Sequence, residues 1–245
     1  MNTFPSITMS AQGFVSCVAA PPDYTTRVAC PKHFLWQEGT TTQTALSNTG
    51  ATTQTITVAN GAKLTAGRHA IVRPSATNWG GPGSWEIVYV QSVNGNSATI
   101  TRAWKTPLDQ DLSLRRNHAA GSYIATLCMG GVAKEKKPTN GTPSEATFNW
   151  KFNHSTTCPT DASGKKMWEH AAAWAIARFE STLATYGRCT DGYYNDVDWE
   201  WLNTNAPAAR ADADADGVAD HGLSSLTDPA AVNHWRDGKE MMAQR

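Results

Sequence analysis

Trp85–Thr101 reads WEIVYVQSVNGNSATIT. Two runs rich in β-branched and aromatic residues, Trp85 to Val90 and Ala98 to Thr101, are parted there by Asn94-Gly95-Asn96. Asn-Gly accepts the positive φ angles of a tight turn with little strain, so two such runs on either side of it predict a β-hairpin. Toward the N-terminus, Thr55-Ile56-Thr57-Val58 and Ala70-Ile71-Val72 are of the same kind. They are punctuated by Asn60-Gly61 and by Gly80-Gly81-Pro82-Gly83. Together these runs predict a small antiparallel β domain over residues 45–128, closing near Ser122 to Leu127. Residues 1–44 have no convincing period and contain Pro21-Pro22 and Pro31, so they read as an irregular leader.

Beyond the loop from Gly131 to Thr142, rich in Lys, Pro, Thr and Gly, the period lengthens. Phe148 to Asn153 reads as a strand. Trp168, Ala171, Ala172, Ala175, Phe179, Thr182 and Leu183 then recur at helical spacing until Gly187 stops the run. An acidic strand follows, and a second helix from Pro229 to Ala243. Strand, helix, strand, helix is the grammar of a parallel α/β fold. A complete eightfold barrel takes about 250 residues, whereas only about 100 remain after the β domain. The region is therefore either a piece of a barrel or a smaller fold. The expected class is an α+β chain in two parts: the small antiparallel β domain, then a truncated (β/α) TIM-barrel-type region over 129–245.

Composition narrows the function. The 245 residues carry 21 basic and 21 acidic side chains, and the basic ones are scattered, which excludes a nucleic-acid footprint. No run approaches the roughly 20 apolar residues of a membrane-spanning helix. Five cysteines are too few for a disulfide framework and show no CxxC spacing. Cys158 and Cys189 are the expected bonded pair. A Thr-, Asn-, Ala- and Gly-rich, Lys-poor composition suggests an exported bacterial protein, extracellular or at the cell surface, although the first twenty residues lack the basic n-region of a signal peptide.

Two acidic stretches carry the chemistry. In Asp191–Leu202, DGYYNDVDWEWL, the residues Asp196, Asp198 and Glu200 occupy every second position. On an extended strand they project to one face, successive Cβ atoms about 6 to 7 Å apart. Three carboxylates so placed repel one another and need protons, cations or hydrogen bonds to relieve them, which points to catalysis or to metal. The alternative is a polar strand end facing solvent, which the flanking Tyr193, Tyr194, Trp199 and Trp201 argue against.

The second stretch, Asp212-x-Asp214-x-Asp216-Gly217-x-x-Asp220, puts carboxylates at positions one, three, five and nine of a loop with Gly at six. That spacing lets short side chains wrap a hard cation, and Ca2+ in a structural role is the expected cofactor. Position twelve is Leu223 rather than a bidentate Glu, so the affinity expected is weaker than that of an EF-hand. The competing reading is an acidic flexible linker. Of the ten tryptophans, Trp168 and Trp174 read as core, while Trp79, Trp199 and Trp201 could equally stack on sugar rings. His118 and His154 are isolated hydrogen-bonding candidates, and no paired-His spacing indicates zinc.

Asp196-Val197-Asp198-Trp199-Glu200 resembles the core of the chitinase motif DGxDxDWE of family-18 glycoside hydrolases, with Tyr193 and Tyr194 standing where that motif has its first Asp and Gly. The wider stretch of about residues 85 to 245 is similar to a group of bacterial barrel glycosidases. The pieces that carry this likeness are His118 to Gly121, Asn153-His154-Ser155 with Cys158-Pro159, Asp191-Gly192 with Asp196, and Asp212 to Asp220. The resemblance implies a (β/α) barrel and a polysaccharide or oligosaccharide substrate. On it, Asp196 is the expected nucleophile or base, Glu200 the acid and Asp198 the orienting group. Tyr194, Trp199, Trp201 and Asn153 are the expected substrate-binding residues, and Asp212, Asp214, Asp216 and Asp220 the metal ligands. The expected function is thus a secreted glycosidase. Its rivals are a non-catalytic calcium-dependent carbohydrate-binding or adhesion module, an inactive barrel fragment, and a purely structural surface or phage-associated protein.

Overall fold

The computed structural model describes residues 31–80, 84–102, 115–128, 153, 155–161, 163–187, 210–220 and 237. The strands among them are β1 (Trp36–Gln37), β2 (Thr40–Thr41), β3 (Thr53–Thr57), β4 (Arg68–Arg73), β5 (Glu86–Asn94), β6 (Ser97–Thr101), β7 (Tyr123–Thr126) and β8 (Ala211–Asp212). One α-helix, α1 (Met167–Tyr186), and two 3-10 turns, Pro31–His33 and Gly61–Lys63, complete the set.

Six strands form one sheet in the order β2-β7-β4-β5-β6-β3, every pair antiparallel. The hairpin expected around Asn94-Gly95 is β5–β6, with Asn94 opposite Ser97 and Gly95 at φ 55°. A register shift between Val90 and Ser92 bends β5. The sheet curls into a half-barrel whose two edge strands approach where Thr42 bridges Val58. Residues at alternate positions, Ile56, Ala70, Val72, Val88, Val90, Ala98, Ile100 and Ile124, fill its concave core with Leu46, Val58 and Leu64. Each fully buried Ile, Leu or Val there contributes about 1.5 to 3 kcal/mol.

β4 is buried along its whole length, so the other face of the sheet is covered as well. The cover includes residues distant in sequence. β8 pairs antiparallel with β1, Trp36 opposite Asp212. Leu35, Cys128, Ala211 and Ala213 form a second apolar cluster. The segment that follows β8 reaches the outer side chains of β4 and β7: Arg73 Nη2 donates to the Ala215 carbonyl at 3.4 Å, and the Tyr123 hydroxyl to the Gly217 carbonyl at 3.5 Å.

This architecture corrects the TIM-barrel expectation, and with it the fold implied by the glycosidase resemblance. The described part of 129–245 holds one 20-residue helix and one two-residue strand, and that strand joins an antiparallel pair rather than a parallel sheet. Strand–helix–strand order was the basis of the expectation, but order does not choose a strand's partner. β8 takes its ladder from β1, some 175 residues earlier, without any parallel crossover. The helix itself lies where its period predicts and ends at Gly187, whose φ of 66° lets its N–H reach back to the Leu183 carbonyl. Of the strand expected over Phe148 to Asn153 only Asn153 lies within the described residues, and of the helix expected over Pro229 to Ala243 only Asp237 does. A second expectation concerns Cys158. It is a free thiol, 1% exposed, and burial pushes its pKa up to about 12; its expected partner Cys189 lies outside the described residues. No helix among the described residues is long and apolar enough to cross a membrane.

Candidate functional site

Asp212 closes β8, and its partner Trp36 in β1 holds the backbone there in register. Immediately afterwards the chain turns through two residues with positive φ, Ala215 at 62° and Gly217 at 93°. Glycine at the second is required by space as well as by dihedral, because a Cβ on Gly217 would lie 2.4 Å from the Ala76 Cβ. The turn is stabilised by its own carboxylates. Asp212 accepts from Asp216 N at 3.1 Å and from Gly217 N at 2.9 Å. Asp214 also accepts from Asp216 N, at 3.1 Å, and Asp216 accepts from Val218 N at 2.7 Å. Asp220 closes the loop, its carboxylate accepting from Ala213 N and its N–H donating to the Ala211 carbonyl at 2.8 Å.

The four predicted metal ligands are thereby gathered in one loop. Single carboxylate oxygens of Asp212, Asp214 and Asp216 come within 4.8 Å of one another. Asp212 is 1% exposed, while Asp214 and Asp216 are both exposed. Burial raises the Asp212 carboxyl to about 7, and the charges of Asp214 and Asp216 add to the rise, against the Gly217 N–H and the Arg73 guanidinium. Burial likewise pushes Asp220 up, with Asp214 and Asp216 contributing. A divalent cation is the natural relief for such a group of acids, and oxygen-only donors on a tight loop fit Ca2+.

Asn153, predicted as a substrate contact, is 1% exposed and donates from Nδ2 to the Ala213 carbonyl at 2.6 Å. Its Oδ1 accepts from Ser155 N at 3.2 Å and Ser155 Oγ at 2.8 Å. Its backbone N–H donates to the His33 carbonyl at 2.8 Å. Asn153 therefore ties the acidic loop to the 155–158 turn and to the first 3-10 turn. On the other side of the loop, Arg73 lies 4.2 Å from the Trp79 ring centre and 4.8 Å from that of Tyr123. Trp79 is buried here under the guanidinium, so its indole packs within the molecule. Tyr123 is pushed up to about 12 by burial and by the charge of Asp212, while its hydroxyl accepts from Gly39 N at 2.6 Å. The sequence singled out neither Arg73 nor Tyr123, because each reads as an ordinary alternate position of a buried strand.

The remaining predicted residues are placed differently. Asp196, Asp198, Glu200, Tyr194, Trp199 and Trp201 lie outside the described residues, as does His154. His118 is buried, its Nε2 3.4 Å from Glu86 Oε2, beside the bidentate Arg102–Glu86 pair. Its surroundings are those of a structural histidine.

A second cluster lies where the first 3-10 turn meets the start of α1. His170, in the first turn of α1, places Nε2 2.8 Å from Asp161 Oδ2. The His33 ring lies 5.3 Å from that of His170, tilted by 47°. Burial lowers His33 to about 4, with the nearby His170 adding to the shift, so its imidazole is neutral. Asp161 also accepts, through Oδ1, from Ser163 N at 2.8 Å, Ser163 Oγ at 2.6 Å and Lys165 N at 3.1 Å. Burial alone would raise its pKa; the Ser163, His170 and Lys165 hydrogen bonds outweigh it and hold the carboxyl below its ordinary range. No family model, curated protein or solved structure matches this chain.

Proposed function

We propose that the chain is a calcium-dependent carbohydrate-binding module, in which Ca2+ at Asp212, Asp214, Asp216 and Asp220 fixes the loop on the outer face of the sheet. The observation that carries this reading is the buried carboxyl of Asp212 beside Asp214 and Asp216, with oxygen atoms within 4.8 Å and a raised pKa that a bound cation would reverse. The loop supplies acids alone, its chain turns at a glycine in the sixth position, and Asn153 braces it from outside. The glycan half of the proposal rests on the aromatic-rich stretch Tyr193, Tyr194, Trp199 and Trp201, which precedes the loop in the sequence.

Glycoside hydrolysis is the second reading, favoured by one observation: Asp196, Asp198 and Glu200 alternate in sequence 12 to 16 residues ahead of Asp212. It stands on those carboxylates and not on a barrel. An extracellular or cell-surface location accords with both readings.

The test combines affinity and turnover on one polysaccharide panel. Retention of the protein on immobilised glycan that is abolished by EGTA and restored by Ca2+, with no reducing ends released, supports the binding module. Release of reducing ends that Asp196→Asn abolishes would replace it with the hydrolase. Retention unchanged by EGTA and by Asp214→Asn would remove calcium from the function.

A further inference from the structure

His33, Asp161 and His170 come from segments 128 to 137 residues apart in sequence, 33 against 161 and 170, yet each offers one donor atom within 4.8 Å of the others. His33 is 0% exposed and His170 2%, and the Asp161 side chain is 5% exposed. The His33 ring nitrogens are in unequal situations. Nε2 lies 3.2 Å from the Lys165 carbonyl, an acceptor, so it carries the proton. Nδ1 is then the bare lone pair, and it is buried with no hydrogen-bond partner among the described residues. A histidine that donates one ring N–H to a backbone carbonyl and keeps the other nitrogen bare has the tautomer and the outer-shell support of a metal ligand. Asp161 is fixed in the same manner: three donors from Ser163 and Lys165 hold Oδ1 and leave Oδ2 to face His170.

We propose that His33, Asp161 and His170 form a second metal centre, for a divalent transition metal of the Zn2+ type, distinct from the calcium loop. Two imidazole nitrogens and one carboxylate oxygen suit Zn2+ and not Ca2+, which takes oxygen donors. Ligand atoms about 2 Å from a tetrahedral zinc stand about 3.3 Å from one another, so the three need only close or open by an ångström or so. On binding, the proton shared between His170 Nε2 and Asp161 is released to solvent, and a water completes the fourth position. The metal clamps the 3-10 turn at Pro31–His33 to the 155–166 turn and the first turn of α1, and its role is structural.

The test uses the full chain, freed of metal and held in saturating Ca2+ so that the acidic loop is occupied. Titrated with Co2+, it is expected to bind one ion per chain with the intense visible absorption of a four-coordinate nitrogen-ligated site, and Zn2+ is expected to displace it. Zn2+ alone should raise the melting midpoint, and a chelator should reverse the rise. His33→Gln and His170→Gln should each weaken Co2+ binding about a hundredfold. Asp161→Asn is the variant to rely on if those two fail to fold, because its amide oxygen can still accept from Ser163 and Lys165; it should weaken binding about tenfold or more. Weak octahedral absorption only, no Co2+ bound, or an affinity unchanged in Asp161→Asn would each overturn the proposal.

Discussion

Glu86 shows how single side chains set the stability of this sheet. Arg102 grips it from Nε at 2.8 Å and Nη2 at 2.7 Å, with both partners almost wholly buried. Arg102 also donates to the Ser47 and Arg116 carbonyls, and Arg116 N donates to Glu86 Oε2 at 2.9 Å. The pair thus stitches β5, the end of β6 and the 115–118 segment. Burial by itself would raise the Glu86 carboxyl; the hydrogen bonds from Arg102 and Arg116 N, with the His118 ring nitrogen 3.4 Å away, outweigh it and hold the group below its ordinary range. In the unfolded chain Glu86 therefore takes up its proton at a higher pH than in the fold. Its contribution is complete above the ordinary glutamate pKa and disappears as pH falls through the lower folded value. Acid titration of denaturant stability should show this loss, and Glu86→Gln should flatten it. Arg102→Ala leaves the carboxylate buried without its partner and is expected to cost about 3 to 5 kcal/mol in urea unfolding. Asp212 behaves in the opposite sense, since its folded pKa is raised to about 7. A proton there competes with the cation, so Ca2+ affinity measured by calorimetry should fall by up to about tenfold per unit as pH drops below 7. An affinity flat from pH 8 to 6 would contradict that.

At the scale of elements, what the sequence discloses follows its periods. The hairpin β5–β6 was legible because Asn94-Gly95 and alternating β-branched residues state both turn and strands locally. α1 was legible because an apolar repeat and a terminal glycine suffice for a helix. The pairing of β1 with β8 was not, since Trp36-Gln37 and Ala211-Asp212 are two residues each and too short to show any period. The acidic loop stands between these cases. Its ligand spacing could be read directly, but its anchorage by Asn153 and its seat against Arg73 and Tyr123 depend on contacts across 60 to about 140 residues. The same holds for His33 with Asp161 and His170, which have no spacing for a motif to match. The loop's geometry gives a sharp prediction. Gly217→Ala places a methyl against Ala76 at a φ of 93° that L residues rarely adopt. We expect a loss of about 2 kcal/mol or more in stability and at least a tenfold weaker response to Ca2+. Gly121→Ala is the control: φ is 90° but no atom lies within 4 Å of the new Cβ, so it should cost only the backbone strain and leave Ca2+ binding intact.

Over the whole molecule, the contacts between the acidic loop and the sheet predict that the two unfold as one cooperative unit. β8 leans on β1, Asp212 is opposite Trp36, and Trp36 bridges Leu127 beside β7. Arg210 reaches Gln37 at 3.0 Å and Thr65 at 3.1 Å, on the far side of the same ladder. Below the loop, Arg73 is 1% exposed with Nε and Nη1 lacking hydrogen-bond partners among the described residues, so the guanidinium depends on the rings of Trp79 and Tyr123 and on the loop carbonyl. Opening the loop would therefore uncover the outer face of β4 and β7 and not only a surface turn. A ligand that binds the folded state alone stabilises it by an amount set by its concentration over Kd, about 2.7 kcal/mol at a hundredfold excess. If loop and sheet unfold together, that increment must appear in the melting of the sheet itself. Calorimetry should accordingly show one transition that moves upward with Ca2+ and returns with EGTA. It should not move in Asp214→Asn/Asp216→Asn, which keeps the buried Asp212 but removes two of its three partners for the cation. A Ca2+-sensitive transition separate from a Ca2+-insensitive melting of the sheet would show that the loop is an appendage, and the coupling inferred from Trp36, Arg73 and Tyr123 would fail.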